Sequence, residues 1–236
     1  MRQHIRSALT GLTALLMVGT LSACTNSSTT EATSSSPPAP QTSSPAPLPE
    51  SARYMADMTA PGGKTMTIGI SVAGSDVAAY ACNGTDDEAW FFGNQTDGAI
   101  DLTSRFRDTL AATFHGTDLR GEVTMDGVGY TFAASSVSGV AGMYTAESAG
   151  NRASWVVRPD GSATGVQFSG FTTDRRNFDP FHLDELSDFD VRNDVRPSRK
   201  LAPAGPIEFP PQGPPTATIN GVAVTPTLVT GTFRLT

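Results

Sequence analysis

Cysteine and histidine are scarce in this chain, with two cysteines and three histidines among 236 residues. Two thiols cannot build a disulfide-dense scaffold or a four-thiolate zinc site, and three imidazoles add few other metal ligands. We therefore expect no metal and no cofactor. Charge is also sparse, and 16 basic against 23 acidic residues leave a net charge of -7. Nucleic acid is an unsuitable partner, because phosphate backbones are bound by basic surfaces.

Long apolar runs are missing as well. The longest extends from Ala8 to Leu21, which is short of the about 20 residues that a membrane-spanning helix needs. Arg2 and Arg6 precede this run and small residues follow it, an order typical of a secretory signal.

The last residue of this run and the three that follow it resemble a bacterial lipobox, in which signal peptidase II cuts before a cysteine that carries a diacylglyceryl group. They are Leu21, Ser22, Ala23 and Cys24. The resemblance implies a lipoprotein signal peptide over 1–23 and lipidation of Cys24; an ordinary secretory signal is the alternative. Because two or three acyl chains hold a protein durably on a membrane, we expect attachment to the extracytoplasmic side of the cell membrane.

The next region, 24–52, has the composition of a tether. From Thr25 to Ala52 it contains 8 serines, 5 threonines and 6 prolines, and almost no residue that could pack in a core. Such a segment keeps a folded domain clear of the lipid headgroups. Ser/Thr-Pro density also suits O-glycosylation, and an unmodified spacer is the alternative.

Alternating hydrophobicity dominates 53–170, which we predict to be a β-domain. Apolar side chains recur at every second position from Met66 to Val72, as in a half-buried strand. Asp126–Gly127, Asp160–Gly161 and Asn220–Gly221 each separate two such runs, which is typical of type I′ hairpins. The prediction is an all-β fold with a single antiparallel meander, forming a rolled sheet or a small barrel.

Three segments are less regular. Over 103–114 a short helix competes with a strand pair, and the threonine content favours strands. Charges of both signs and many prolines predict a polar excursion or second linker over 171–215. Strand-like sequence returns over 216–236, where we expect a hairpin or strand that joins the sheet, with Gly231–Leu235 closing or edging it.

Four motifs within the β-domain resemble a pattern of uncharacterised actinobacterial, mycobacterial-type secreted lipoproteins with a Gly-rich β-domain. They are Tyr80–Gly84, Glu88–Gly93, Gly142–Tyr144 and Trp155–Gly161. The resemblance implies a small β-domain behind a lipid anchor and a linker. It implies no activity.

Catalytic constellations are hard to assemble from this sequence. Cys82 lies in a strand pattern and is expected to be a buried, inert thiol. No Gly-x-Ser-x-Gly motif accompanies His115 or His182, so surface histidines are the simpler interpretation. The acidic residues 86–88 read as solvated turn carboxylates, and a calcium loop from Asp188 lacks the required glycine and glutamate.

Consecutive aromatic residues give the one ligand-binding hypothesis. Trp90, Phe91 and Phe92 cannot all lie on one face of a strand, so at least one ring is expected on the outer face. Trp90 and Phe92 are therefore the candidate ligand-binding residues, and a loop that packs over them is the alternative.

The sequence favours a membrane-anchored, non-catalytic module that binds an envelope protein or a cell-wall glycan. The alternatives are an enzyme acting on envelope lipid or glycan, and a small lipid or ligand carrier. The carrier predicts an apolar cavity within the β-roll, the enzyme predicts distant polar groups converging in one pocket, and the binding module predicts a filled core.

Overall fold

The computed structural model describes residues 50–171 and 199–235, and within those ranges every regular element is a β-strand. The first eight strands form a closed antiparallel barrel in which each strand pairs with the next and the eighth returns to the first. They are β1 (Ser51–Thr59), β2 (Thr65–Ala73), β3 (Asp76–Cys82), β4 (Glu88–Thr96), β5 (Ala99–Thr103), β6 (Thr109–His115), β7 (Asp118–Met125) and β8 (Val128–Val137). The all-β meander and the small barrel are thus confirmed.

Side chains of alternate strand residues fill the barrel. In β6, Leu110, Ala112 and Phe114 point inward and are buried, whereas the residues between them are exposed. This pattern shows that 109–115 is a strand, as the threonine content predicted. Ile68 and Phe91 are fully buried in the same interior cluster. Each such side chain contributes about 1.5–3 kcal/mol through the removal of apolar surface from water.

Two of the three predicted turns have the expected geometry. Asp126 and Gly127 have φ angles of 48° and 73°, and Asn220 and Gly221 have 51° and 79°, as type I′ turns require. Asp160–Gly161 also joins two paired strands, but only Gly161 has a positive φ there. Its loop is longer than a two-residue turn, with Arg158 N–H donating to the Ser162 carbonyl. Pro159 explains the difference, because its ring fixes a negative φ at the start of the loop.

The chain after the barrel forms two further sheets. Their strands are β9 (Gly142–Ser148), β10 (Asn151–Val157), β11 (Ala163–Phe171), β12 (Arg199–Pro203), β13 (Ile207–Glu208), β14 (Thr216–Ile219), β15 (Val222–Val224) and β16 (Thr227–Leu228). One sheet has the order β12-β11-β10-β9-β16, and the other has the order β13-β14-β15.

The prediction of a polar excursion over 171–215 is wrong for its C-terminal part. β12 pairs with β11, and β13 pairs with β14, so these residues belong to sheets. β12 lies at a sheet edge and ends in Pro203, a position where the missing N–H of proline costs no ladder hydrogen bond. Residues 172–198 lie outside the described residues.

The five-stranded sheet packs on the outside of the barrel. Tyr80, Cys82 and Trp90 point outward from β3 and β4 and share a buried cluster with Met143 and Val156 of the sheet. Strand β3 is therefore buried on both faces, which explains its continuous apolar sequence from Val77 to Cys82.

The C-terminal residues after β16 lie against the barrel without forming a strand, so the predicted sheet edge over Gly231–Leu235 is wrong. Ser71 Oγ donates to the Val229 carbonyl at 2.9 Å, and Arg234 pairs with Asp76 at 2.9 Å. At Gly231 the segment comes so close to β2 that an added Cβ would lie 2.4 Å from the Ala73 nitrogen. A glycine is needed here because no side chain fits.

Candidate functional site

The loops at one end of the barrel border two clefts of the described structure. The mouth end, as we name it, carries the loops that join β1 to β2, β3 to β4, β5 to β6 and β7 to β8. A cleft of about 720 Å³, the mouth cleft, lies between these loops and β12. Its charged lining residues are Lys64, Asp86, Asp87, Asp126 and Arg199. Met66 and Met125, buried at the end of the barrel interior, border it from below.

The β3–β4 loop is held in one conformation by Asn83. Its side-chain oxygen accepts hydrogen bonds from the backbone N–H groups of Thr85, Asp86 and Asp87 at 2.9–3.0 Å. The Asp86 carboxylate in turn accepts from the Asn83 amide and the Thr85 hydroxyl, and these hydrogen bonds lower the pKa of Asp86. An ionised carboxylate is thereby fixed on the wall of the mouth cleft.

Arg199 joins β12 to the barrel at the mouth cleft. One guanidinium nitrogen donates to the Glu88 carbonyl at 2.7 Å, and the other donates to Asp87 Oδ1 at 3.3 Å. The guanidinium also lies 5.1 Å from the ring centroid of Phe106 in the β5–β6 loop. A planar donor fork thus fixes two loops of the mouth end to one strand of the neighbouring sheet.

A buried ionic cluster lies next to this contact. Glu88 is 2% exposed, accepts from Arg152 at 2.5 Å and accepts from the Tyr80 hydroxyl at 3.0 Å. The interpretation of residues 86–88 as solvated turn acids is therefore wrong for Glu88. Alternation places Glu88 on the outer face of β4, where the five-stranded sheet covers it. Glu88 and Tyr80 belong to the barrel and Arg152 belongs to the sheet, so the cluster links the two.

Burial also changes the acidity of groups near this cluster. It raises the pKa of Tyr80 well above its ordinary value, with the nearby Cys82 and Glu88 acting in the same direction. Tyr130, which lines the mouth cleft, has a raised pKa for the same reason, and the charges of Asp87 and Asp126 add to it. Both phenols are therefore neutral hydrogen-bonding groups at pH 7.

A second cleft adjoins the first along the line where β8 meets β1. This seam cleft has a volume of about 760 Å³ and shares Lys64 and Val128 with the mouth cleft. Its walls include Thr59 at the end of β1 and Gly129 near the start of β8. The two clefts are therefore neighbours at the mouth end.

The predicted burial of Cys82 is confirmed. The thiol is free and fully buried, and burial raises its pKa to about 12. A cleft of about 280 Å³ lies over it, where Arg158 pairs with Asp57 and also donates to Thr67 and Thr164. A protonated thiol of this kind is a poor nucleophile.

Trp90 and Phe92 lie on the outer face of β4, and Phe91 points into the barrel. Trp90 is 7% exposed, because the rings of Phe92 and Phe233 lie 5.5 and 5.4 Å from it. The C-terminal segment thus packs over Trp90, as the alternative interpretation of these aromatic residues expected. Phe92 is half-buried and also contacts Phe233. Neither residue lines the three clefts described here, and a role in ligand binding stays a prediction for both.

The remaining candidates contribute little. His115 is exposed at the end of β6, and its ring contacts Thr113. His182 and the rejected calcium loop from Asp188 lie outside the described residues. Within residues 50–171 and 199–235, no three side chains of His, Cys, Asp or Glu group as metal ligands would. The same ranges contain no helix with the length and apolar character of a membrane span.

No local pattern indicates Lys64 or Arg199 as site residues. Arg199 was read as part of a charged linker, and its partners are distant in the chain. The sequence does contain two turn motifs near the mouth cleft, Asn83–Gly84 and Asp126–Gly127. Each predicts a hairpin end that carries carboxylates. Which hairpin ends meet follows only from the barrel topology.

Comparisons with models of protein families, with curated proteins and with solved structures found no match to this chain.

Proposed function

We propose that this protein is an extracytoplasmic lipoprotein that acts as a non-catalytic binding module of the cell envelope. Acylation of Cys24 anchors it to the membrane, and the residues between Cys24 and β1, which begins at Ser51, hold the β-domain away from the surface. Its partner is an envelope protein or a cell-wall component. The lipobox-like residues before Cys24 and the resemblance to actinobacterial envelope lipoproteins support this localisation at the cell membrane.

The observation that carries the binding role is the combination of a filled barrel with open clefts at its mouth. Buried side chains such as Ile70 and Leu110 occupy the interior, which disfavours a carrier that holds its ligand inside the barrel. The mouth cleft and the seam cleft are instead open to solvent, and both acidic and basic side chains line each of them. Asn83 fixes one wall in advance, so little conformational entropy is lost on binding.

The buried cluster of polar side chains that meets from distant parts of the chain does not have the exposure that an enzyme active site needs. Glu88, Arg152 and Tyr80 meet from distant parts of the chain, but they bond to each other beneath the five-stranded sheet. A catalytic group must reach its substrate, and these groups are covered.

Site-specific photocrosslinking in intact cells tests the binding role. A Thr85→p-benzoylphenylalanine substitution places the crosslinker on the exposed wall of the mouth cleft. A Thr117→p-benzoylphenylalanine substitution is the matched control, since Thr117 is exposed in the β6–β7 loop at the opposite barrel end. We expect a discrete crosslinked species from Thr85 alone. Equal or absent crosslinking at the two positions would contradict the proposal.

The anchor is tested separately. Replacing Cys24 with alanine removes the thiol that accepts the lipid, so we expect loss of acyl labelling and an uncleaved or released protein. Membrane fractionation with acyl label retained after Cys24→Ala would refute lipidation at this residue.

A further inference from the structure

Two buried side-chain donors have no hydrogen-bond partner within the described part of the chain. They are Nε1 of Trp90 and Nε of Arg152. The other tryptophan has the ordinary arrangement, since Trp155 Nε1 donates to the Gly205 carbonyl at 2.8 Å. A buried donor without an acceptor is destabilising, and folded proteins keep few of them. The Trp90 indole is therefore a group for which an acceptor from outside the domain would be stabilising.

The two unpartnered donors belong to one surface, the outer face of β4. Arg152 binds the Glu88 carboxylate, and Trp90 follows Glu88 by two residues, so both side chains leave the same face of the strand. The Tyr80 side chain contacts both of them. Its hydroxyl donates to Glu88 at 3.0 Å, and its ring centroid lies 4.6 Å from that of Trp90.

Aromatic rings surround the Trp90 indole. The Phe92 ring is stacked against it with an interplanar angle of 13°, and the Phe233 ring is tilted by 45° with its centroid 5.4 Å away. Phe92 and Phe233 are half-buried, so solvent reaches part of each ring. A ligand at this cluster would meet ring faces and N–H donors together, a combination that binds small ligands in one orientation.

The charged side chains at the cluster are already paired. Arg152 pairs with Glu88, and Arg234, which lies over the Phe92 ring, pairs with Asp76. These four side chains carry no net charge, which favours a neutral ligand. A sugar ring has the matching chemistry, because its C–H face packs on an aromatic ring and its hydroxyl oxygens accept hydrogen bonds from N–H groups.

The C-terminal residues 232–235, which we name the strap, cover this cluster and are weakly held. Within the described residues, their one main-chain hydrogen bond joins the Phe233 N–H to the Thr230 carbonyl, inside the same segment. The ion pair between Arg234 and Asp76 is exposed on both sides, and such pairs contribute little to stability. The Phe233 ring can therefore leave the indole without breaking a β-ladder.

We propose that the outer face of β4 is a glycan-binding site that the strap closes in the free protein. A neutral sugar displaces the Phe233 ring, packs on the Trp90 indole and accepts a hydrogen bond from Nε1. Arg152 Nε is the second donor for its hydroxyl groups. This surface is separate from the mouth cleft, so it is a binding site beyond the one proposed above.

The indole N–H resonances of the full chain test this site by proton NMR, in a detergent without a sugar headgroup. The probes are tetrasaccharides of N-acetylglucosamine, of glucose and of mannose. We expect at least one of them to shift the Trp90 resonance in a saturable way. The Trp155 resonance is the internal control and should not move, because its N–H is already bonded to Gly205.

Replacing the indole N–H then isolates the hydrogen bond. Trp90→3-benzothienylalanine keeps the fused rings and exchanges the N–H for sulfur. Calorimetric titration should show about tenfold weaker sugar binding, the effect of one lost hydrogen bond. The melting temperature should not fall, since this N–H has no partner to lose. Trp155→3-benzothienylalanine is the matched control, in which the melting temperature falls and sugar affinity stays unchanged.

The strap is tested by shortening its aromatic side chain. Phe233→Ala should tighten sugar binding about fivefold, because the Phe233 ring no longer competes for the indole. Phe209→Ala is the control, since Phe209 is also half-buried and contacts Tyr144 in another part of the molecule. Its sugar affinity should equal that of the wild type. Weaker binding by Phe233→Ala would contradict a closing strap.

The glycan site would be overturned if none of the tetrasaccharides shifted the Trp90 resonance, or if both indole resonances shifted equally. Undiminished binding by Trp90→3-benzothienylalanine would also overturn it. A shift caused by random heptapeptides and by none of the sugars would assign the surface to a protein partner instead. Crosslinking from Thr85 reports on the mouth cleft alone, so its failure would remove the proposed binding role there and leave the glycan site standing.

Discussion

Arg152 donates to the buried carboxylate of Glu88 at 2.5 Å, across the interface between the five-stranded sheet and the barrel. The Tyr80 hydroxyl donates to the other carboxylate oxygen, so both oxygens of Glu88 are satisfied. Because Glu88 follows directly after Asp87, which Arg199 holds, the same few residues connect the sheet to the mouth cleft. The ion pair therefore contributes to the stability of the interface and to the shape of the candidate site.

Glu88→Gln should destabilise the protein by about 3 kcal/mol, because it leaves the Arg152 charge largely buried without its partner. Urea unfolding of the wild type and the variant measures this loss. Asp97→Asn, an exposed change in the β4–β5 turn, is the control and should stay within about 0.5 kcal/mol. A double variant with Arg152→Met should lose less than the sum of the single changes. Additive losses would show that the two side chains are not coupled.

The Cys82 thiol should make the protein sensitive to alkaline pH. Its pKa rises from 9.0 to about 12 on folding, so the folded state holds a proton that the unfolded state loses. The stabilisation is complete below about pH 9 and is lost as the pH rises toward about 12. Unfolding by urea, with reductant present, should show a fall in free energy over this range.

Cys82→Ser removes the titrating thiol and isolates this effect. Tyr80 has a raised pKa as well, so the fall in the variant should begin only near its ordinary value of 10.0. The comparison uses the pH dependence and not the absolute stability, which a buried hydroxyl also changes. An identical pH profile in the wild type and the variant would exclude Cys82 as the cause.

Gly231→Ala should detach the C-terminal segment from the barrel. The added Cβ would lie 2.4 and 2.5 Å from the Ala73 nitrogen and the Asp76 oxygen, and paired backbone cannot move away cheaply. We expect a loss of about 1–3 kcal/mol and a red shift of tryptophan fluorescence, since Phe233 then no longer covers Trp90. Gly62→Ala, where nothing lies within 4 Å of the added atom, is the control. Unchanged fluorescence would mean that the segment stays in place.

Local patterns were sufficient to predict the strands and most turns. The alternation from Met66 to Val72 and the positive-φ turn at Asp126–Gly127 are properties of neighbouring residues, so the sequence displays them. The ion pair between Glu88 and Arg152 joins residues 64 positions apart, and no local signal marks it.

The errors have the same origin. Glu88 was expected in solvent because its neighbours Asp86 and Asp87 lie in a turn, yet the five-stranded sheet covers it. Arg199 was assigned to a linker, and its role depends on where β12 pairs. Which surfaces of the barrel remain open is decided by long-range packing, so the clefts could not be located from the sequence.

Hydrogen exchange should distinguish the two edges of β8 in the free protein. Amide hydrogens of Gly129, Thr131 and Ala133 face the seam, whereas those of their even-numbered neighbours bond to β7. Exchange monitored by NMR should therefore be faster at the three odd-numbered positions by about a hundredfold or more. Strand β2 pairs on both sides, so its residues Ile68 to Val72 should exchange slowly without alternation. Equal protection along β8 would mean that hydrogen bonds close the barrel beyond the short ladder of Arg53–Met55 with Ser135–Val137.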